Sequence, residues 1–154
     1  MTLTKGYVAV IDSADVVLVS GRHWQAREKF NPNGKFKCAY AISSNGKISI
    51  SLHRLLMKCP AGLIVDHIDC DGLNNRRSNL RIATCSQNSR NQRYRTDNTS
   101  GVKGVAFHKD TGKWQAFIRV GSKQLHLGLF ADKEMAAIAR AEASSVHYGE
   151  FKRD

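Results

Sequence analysis

Residues 65–91, VDHIDCDGLNNRRSNLRIATCSQNSRN, hold an adjacent Asp66-His67 pair, five asparagines and four arginines. No acid lies between Asp71 and Asp97. Carboxylate, imidazole and carboxamide together are the groups that metal-assisted phosphate chemistry uses. An imidazole titrates near neutrality, so His67 is suited to take a proton from water. Asp66 and Asn88 offer hard oxygens to a cation such as magnesium, which takes few protein ligands and keeps several waters. Such a cation neutralises phosphoryl oxygens and a leaving oxygen. Asn79 is suited either to hold the loop or to fix the imidazole tautomer. Asp66 and His67 are neighbours, and neighbours on a regular strand face opposite ways. A centre shared by both therefore requires a bend at the strand end.

The other residues of the stretch have plainer uses. Asn74 and Asn75 read as turn formers, since Asn tolerates the left-handed region. Asp69 and Asp71 read as loop caps, and His53, on the apolar LHRLLM segment, as a packing residue or a support behind the site. Arg76, Arg77, Arg81, Arg90, Arg93 and Arg95 lie in and beside the stretch with few acids near them. Phosphate contacts are their expected use.

The rest of the chain must position these groups. Its 154 residues suffice for one ordinary domain or two small ones, and 42% are hydrophobic. The formal net charge of +11 points to a polyanion, because neutralised phosphates release counterions. No C-x-x-C pair occurs among the four cysteines, which argues against a zinc knuckle. No apolar run approaches the ~18 residues of a membrane span, and no signal-like start precedes Asp12. These features predict a soluble intracellular protein with reduced thiols and no membrane partner.

Periodicity predicts a strand over 6–11, a short helix or strand at Val16–Val19, and Trp24 as a core anchor. NPNG at 31–34 is a turn. Alternation predicts a hairpin over 36–52 around Asn45-Gly46. Phe36, Cys38, Tyr40 and Ile42 form its buried face, with Ile48, Ile50 and Leu52 also inward. A helical rhythm over 52–58 stops before Pro60. A short strand then ends at Asp66-His67, a polar loop spans 68–78, and a second strand covers 80–82. Thr84 and Gln87 form a T-x-x-Q capping box, so a helix follows that carries Asn88 and Asn91. Residues 94–101 read as a linker. Strands are expected at Val105–Phe107, 114–120 and 125–129. A helix runs from Asp132 to about Val146, with Ala136, Ala139 and Ala143 against the sheet, and stops at Gly149.

The pattern DHID…NN-x-x-S-NLR…QN-x-x-N resembles that of the phage-type HNH homing endonucleases, whose site is a ββα-metal fold. GYVAVID, Trp24 and SLHRLLM are similar to the N-terminal part of those enzymes. The resemblance implies His67 as general base, Asn79 as the residue that orients it and braces the loop, and Asp66 and Asn88 as ligands. One Mg2+ (or Mn2+) ion per active site follows from it. So do hydrolysis to 5′-phosphate and 3′-hydroxyl ends, and a cytoplasmic setting in a bacterial host. The third motif position, where the family name has His, is Asn88 here.

SGVKGVAFHKDTGKWQAFIRV…LHLGLFADKEMAAIARAEA resembles the Apetala-type, or ethylene-response-factor, DNA-binding domain. Such domains lay a three-stranded sheet in the major groove. Alternation sends Trp114, Ala116, Ile118, Leu125 and Leu127 toward the helix. Gln115, Phe117, Arg119, Gln124 and His126 go to the other face. Lys103, His108, Lys109 and Lys123 add positive or polar surface. Phe117, exposed on a polar face, calls for a partner. Ala106, Phe117 and His126 depart from the plant pattern, so no sequence preference carries over.

The expected fold is α+β. A ββα-metal nuclease domain with a β-rich N-terminal part occupies 1–93, a linker 94–101, and a three-stranded antiparallel sheet packed on one helix 102–154. The expected function is a homing-type, metal-dependent endonuclease acting on double-stranded DNA. One active site per chain implies a nick unless two chains cooperate on the duplex, and no obligate protein partner is inferred. The rival from another class is a cleavage-inactive DNA-binding regulator of the same architecture. A third reading, an RNA-directed protein, keeps the charge argument and loses the sheet resemblance.

Overall fold

The computed structural model describes residues 1–46, 48–91 and 98–152. They form two compact units, Met1–Cys85 and Ser86–Asp154, in a mixed α+β fold.

In the first unit, helix α1 (Val16–Val19) precedes an antiparallel sheet of β1 (Gln25–Phe30), β2 (Phe36–Ser44) and β3 (Ser49–Ser51), in that order. Helix α2 (Leu52–Leu56) leads to a two-stranded ribbon, β4 (Ile64–His67) and β5 (Leu80–Ala83). Leu3, Ala9, Val19, Trp24, Ala41, Leu52, Leu56 and Leu80 form the core. Trp24 is the anchor expected of it: only 5% of its surface is exposed, and its indole N–H donates to Val19 O at 3.0 Å.

The sheet differs from the expected hairpin. β2 is its centre, and β1, joined through the NPNG turn, pairs along it from Gln25↔Ile42 to Phe30↔Phe36. QAREKF was not expected to be a strand because its side chains are polar and mostly exposed, leaving no apolar alternation to read. Burial runs unbroken through Ala41, Ile42 and Ser43, so this end of β2 is covered on both faces; Ala39 is buried too, while Phe36 is 53% and Ile48 70% exposed. Residues 6–11 are not a strand either. They make single bridges, Thr2↔Val8 and Val10↔Asn74, because left-handed Lys5 and Gly6 turn the chain before a ladder can extend.

Helix α3 (Cys85–Arg90) begins directly after Thr84, at the boundary of the units, so strand, strand and helix follow in ββα order along the chain. β6 (Val105–His108), β7 (Lys113–Val120) and β8 (Lys123–Phe130) then form an antiparallel sheet in sequence order. Helix α4 (Lys133–Tyr148) packs on it through Val105, Ala116 and Ala136, with Val102, Trp114, Leu127 and Phe130 around them. A bulge at Ala116/Phe117, opposite Gly128, breaks strict alternation. Leu127 and Phe130 consequently share the core side, and Leu129 is left 41% exposed. The buried stripe of α4 is Ala136, Arg140 and Ser144; Ala139 and Ala143 are only half-buried. Gly149 ends the helix at φ +53°.

Candidate active site

The loop between β4 and β5 is held in place by residues from elsewhere in the first unit. Val10 N donates to Leu73 O at 2.9 Å, and Asn75 N donates to Val10 O at 2.7 Å. Arg77 N donates to Asp12 Oδ2 at 2.8 Å, and the Arg77 guanidinium grips buried Asp15 at 2.6–3.2 Å. From the other side the loop seats on β2 at Gly72. A Cβ there would lie 2.4 Å from Ala39 O and 2.7 Å from the Tyr40 ring, so only glycine permits the approach. Within the loop, Asn79 is the staple. Its amide donates to Asp69 Oδ1 at 2.9 Å and Asn74 O at 2.8 Å, and its Oδ1 accepts from Asp69 N at 3.1 Å. Burial pushes the Asp69 carboxyl up. Donors from Asp71 N, Asn74 and Asn79, with the His67 charge, outweigh that and hold it below the ordinary carboxylate value.

The hydrogen bond on the histidine comes from a different asparagine. Asn75 is fully buried, and its Oδ1 lies 3.3 Å from His67 Nε2. Asn75 Nδ2 donates to Gly72 O at 3.4 Å, which turns the amide oxygen toward the ring. An amide oxygen only accepts, so Nε2 carries the proton and the lone pair is on Nδ1. Expected as a turn former, Asn75 is a tautomer-setting residue that sequence reasoning missed. Nothing in the Asn74-Asn75 pair distinguishes the two, because only the fold decides which one is buried. Burial pushes the His67 pKa below the ordinary imidazole value. Asn75 and the charges of Asp69, Asp66 and Asp71 offset part of that shift.

No bend interrupts β4. The register runs evenly through Asp66↔Arg81 and His67↔Leu80, and cross-strand partners share a face. Asp66 and His67 therefore sit on opposite faces of the ribbon, both buried. Asp66 pairs with Arg81, whose Nε and Nη2 each lie 2.8 Å from Oδ2. The Arg81 side chain is only 11% exposed, and a guanidinium engaged this way is not offered to solvent. Asn88 is half-buried on α3, in the second unit. Among the described residues no cluster of three or more His, Cys, Asp or Glu gathers as a metal site.

The remaining arginines and the sheet residues fall into distinct places. Arg76 is exposed. Arg90 lies over the Tyr148 ring at 4.6 Å and accepts at its carbonyl from Lys103 Nζ at 3.1 Å. Arg93 and Arg95 fall outside the described residues. On the outer face of the second sheet, the pairs Gln115↔Leu129, Phe117↔His126 and Arg119↔Gln124 stand together, and His108↔Lys113 extends the row. Phe117 is half-buried rather than exposed. Lys123 pairs with Val120, so by alternation it leaves this face at the turn. Lys109 is exposed beyond β6. No helix among the described residues is long and apolar enough to cross a membrane.

The family model for HNH endonucleases matches residues 58–90, which span β4, the stapled loop, β5 and α3. The chain carries an HNH-type endonuclease domain. It is 40% identical over 122 residues to an uncharacterized HNH endonuclease, L560, of Acanthamoeba polyphaga mimivirus, covering 75% of this chain and 62% of that protein. It is 38% identical over 65 residues to protein 3.8 of Escherichia phage T7, covering 42% of this chain and 54% of that one. The aligned regions thus span between half and two thirds of each relative, and both relatives are viral. No solved structure matches significantly. The family match to the HNH domain ends at Arg90 and does not extend to the C-terminal sheet.

Proposed function

We propose that this protein is a homing-type DNA endonuclease that hydrolyses phosphodiester bonds in duplex DNA. The observation that carries the reading is the buried His67, with its proton fixed on Nε2 by Asn75 and its lone pair on Nδ1, inside the HNH match. His67 Nδ1 takes a proton from water as the oxygen attacks phosphorus. Asn75 holds the productive tautomer, and Asn79 keeps the loop rigid beneath it. As the motif implies, Asp66 and Asn88 would hold one Mg2+ or Mn2+ ion, which Asp66 would reach only by releasing Arg81. When bound, that ion supplies charge stabilisation to the phosphoryl and leaving oxygens. The products are 5′-phosphate and 3′-hydroxyl ends.

The division into a nuclease domain at 1–93, a linker at 94–101 and an Apetala-type DNA-binding domain at 102–154 belongs to the same proposal. Three strands backed by one helix, with Gln115, Phe117, Arg119 and His126 on the outer face, support it. That face, with Lys109 and Arg76, makes the duplex contacts; Arg77 and Arg81 act instead through Asp15 and Asp66. The protein works in the cytoplasm of the host, and one site per chain makes a nick the primary product unless two chains meet on the duplex.

The decisive experiment incubates the protein with plasmid carrying candidate home sites, with magnesium or with chelator, and maps cut positions on both strands. Cleavage at defined positions that chelator abolishes supports the proposal. Binding without cleavage at any metal concentration establishes the regulator instead. Arg119→Ala is expected to lower the salt slope of duplex binding by about one unit, the signature of one lost phosphate contact. An unchanged slope in a titration against potassium chloride removes Arg119 from the contact surface.

A further inference from the structure

Three rings meet at the catalytic candidate, one of them its own. His53 on α2, Tyr40 on β2 and His67 on β4 have centroids 5.1 Å (His53–His67), 5.6 Å (Tyr40–His53) and 5.9 Å (Tyr40–His67) apart. The planes of the two imidazoles cross at 83°, the edge-to-face arrangement that ring quadrupoles favour. An imidazole kept only for packing would be expected to satisfy its buried nitrogens or to be replaced by an apolar ring. His53 does neither: its Nδ1 is buried with no hydrogen-bond partner among the described residues. Burial, followed by the charges of His67, Arg54 and Lys29, takes its pKa down to about 3. The ring is therefore neutral and places no charge beside His67.

The Asn75 contact holds the His67 imidazole at Nε2, and rings from two other elements lie against it.

We infer that His53 is a positioning residue for His67: with Tyr40 it walls in the imidazole so that Nδ1 keeps one direction while Asn75 holds Nε2. This rests on the reading of His67 as the base. Misplacing a reacting group by about 1 Å can cost about 100-fold in rate, so a loosened ring should be visible in kcat.

The test compares His53→Ala with His53→Phe, which keeps a ring and lacks both nitrogens. Plasmid cleavage, duplex affinity, thermal unfolding and the 1H–15N signals of the His67 ring at one fixed pH are recorded for each. The alanine variant is expected to lose about 10- to 100-fold in kcat, with KM and duplex affinity unchanged and the His67 signals shifted. The phenylalanine variant is expected to recover most of that loss and to return the signals toward the wild type. Should the alanine variant unfold, His53→Leu takes its place, filling the volume without a ring. A wild-type kcat and unmoved His67 signals in the ringless variant overturn the inference. A phenylalanine variant as slow as alanine also overturns it, by assigning an imidazole nitrogen to the substrate. If the wild type cleaves nothing, the reading of His67 as base fails separately, and the ring signals still decide whether His53 positions it.

Discussion

His67→Ala is expected to remove metal-dependent cleavage while leaving duplex binding as it is in the wild type. A positioned general base contributes about 100- to 10,000-fold, enough to take a slow nuclease below detection. The binding surface proposed on the C-terminal sheet does not include this residue, so gel-shift affinity for the same duplex is the control. Equal loss of cleavage and binding would show that His67 holds the fold together and does not act on water. The pH profile adds a second reading. Burial lowers the His67 pKa, so the proton-accepting form persists below the ordinary imidazole value. The acid limb of kcat/KM should then fall below about pH 6.5, and a limb at or above that value contradicts the buried, neutral base.

Asp66→Asn is expected to harm both stability and cleavage, because the carboxylate has two uses. Asp66 is 4% exposed and its partner Arg81 11%. Removing one member of such a buried pair leaves the other charge uncompensated, typically at about 3–5 kcal/mol. The same substitution removes the only charged ligand proposed for the metal. Stability and chemistry separate in the double variant Asp66→Leu/Arg81→Leu. Apolar replacement of a buried pair is often neutral or stabilising, so denaturant unfolding should return toward the wild type while cleavage stays absent. Restored cleavage in that double variant would exclude Asp66 from the metal site.

These two expectations rest on features of different legibility. The strand, loop, strand and helix of residues 64–90 could be read locally. Ile64-Val65 and Leu80–Ile82 are short apolar runs around a polar loop, and Thr84 with Gln87 marks the helix start. The C-terminal strands and α4 were legible for the same reason. β1 is not, since QAREKF has no apolar period, and β2 departs from alternation because Ala41, Ile42 and Ser43 are all buried while Phe36 is exposed. The bulge opposite Gly128 ends the alternation, so Leu127 stays on the core side while Leu129 falls on the face of Gln115. In the site, Asp66, His67 and Asn79 stood out by type and spacing. Their partners do not: Arg81, which reads as a phosphate contact, meets Asp66, Arg77 meets Asp15, and Asn75, which reads as a turn former, meets His67.

By itself, the sequence determined which chemical groups this protein has, the order in which short elements carry them, and the basic charge that suits a polyanion. Those properties are local, set by residue type and by periods of two and 3.6. Only the tertiary structure decided which asparagine reaches the imidazole, which nitrogen of His67 keeps the lone pair, and which arginines are engaged by buried acids. These outcomes depend on approaches between residues remote in the chain, such as Gly72 on β2 and Val10 beside Asn74. Burial then turns those contacts into tautomer, charge pairing and pKa.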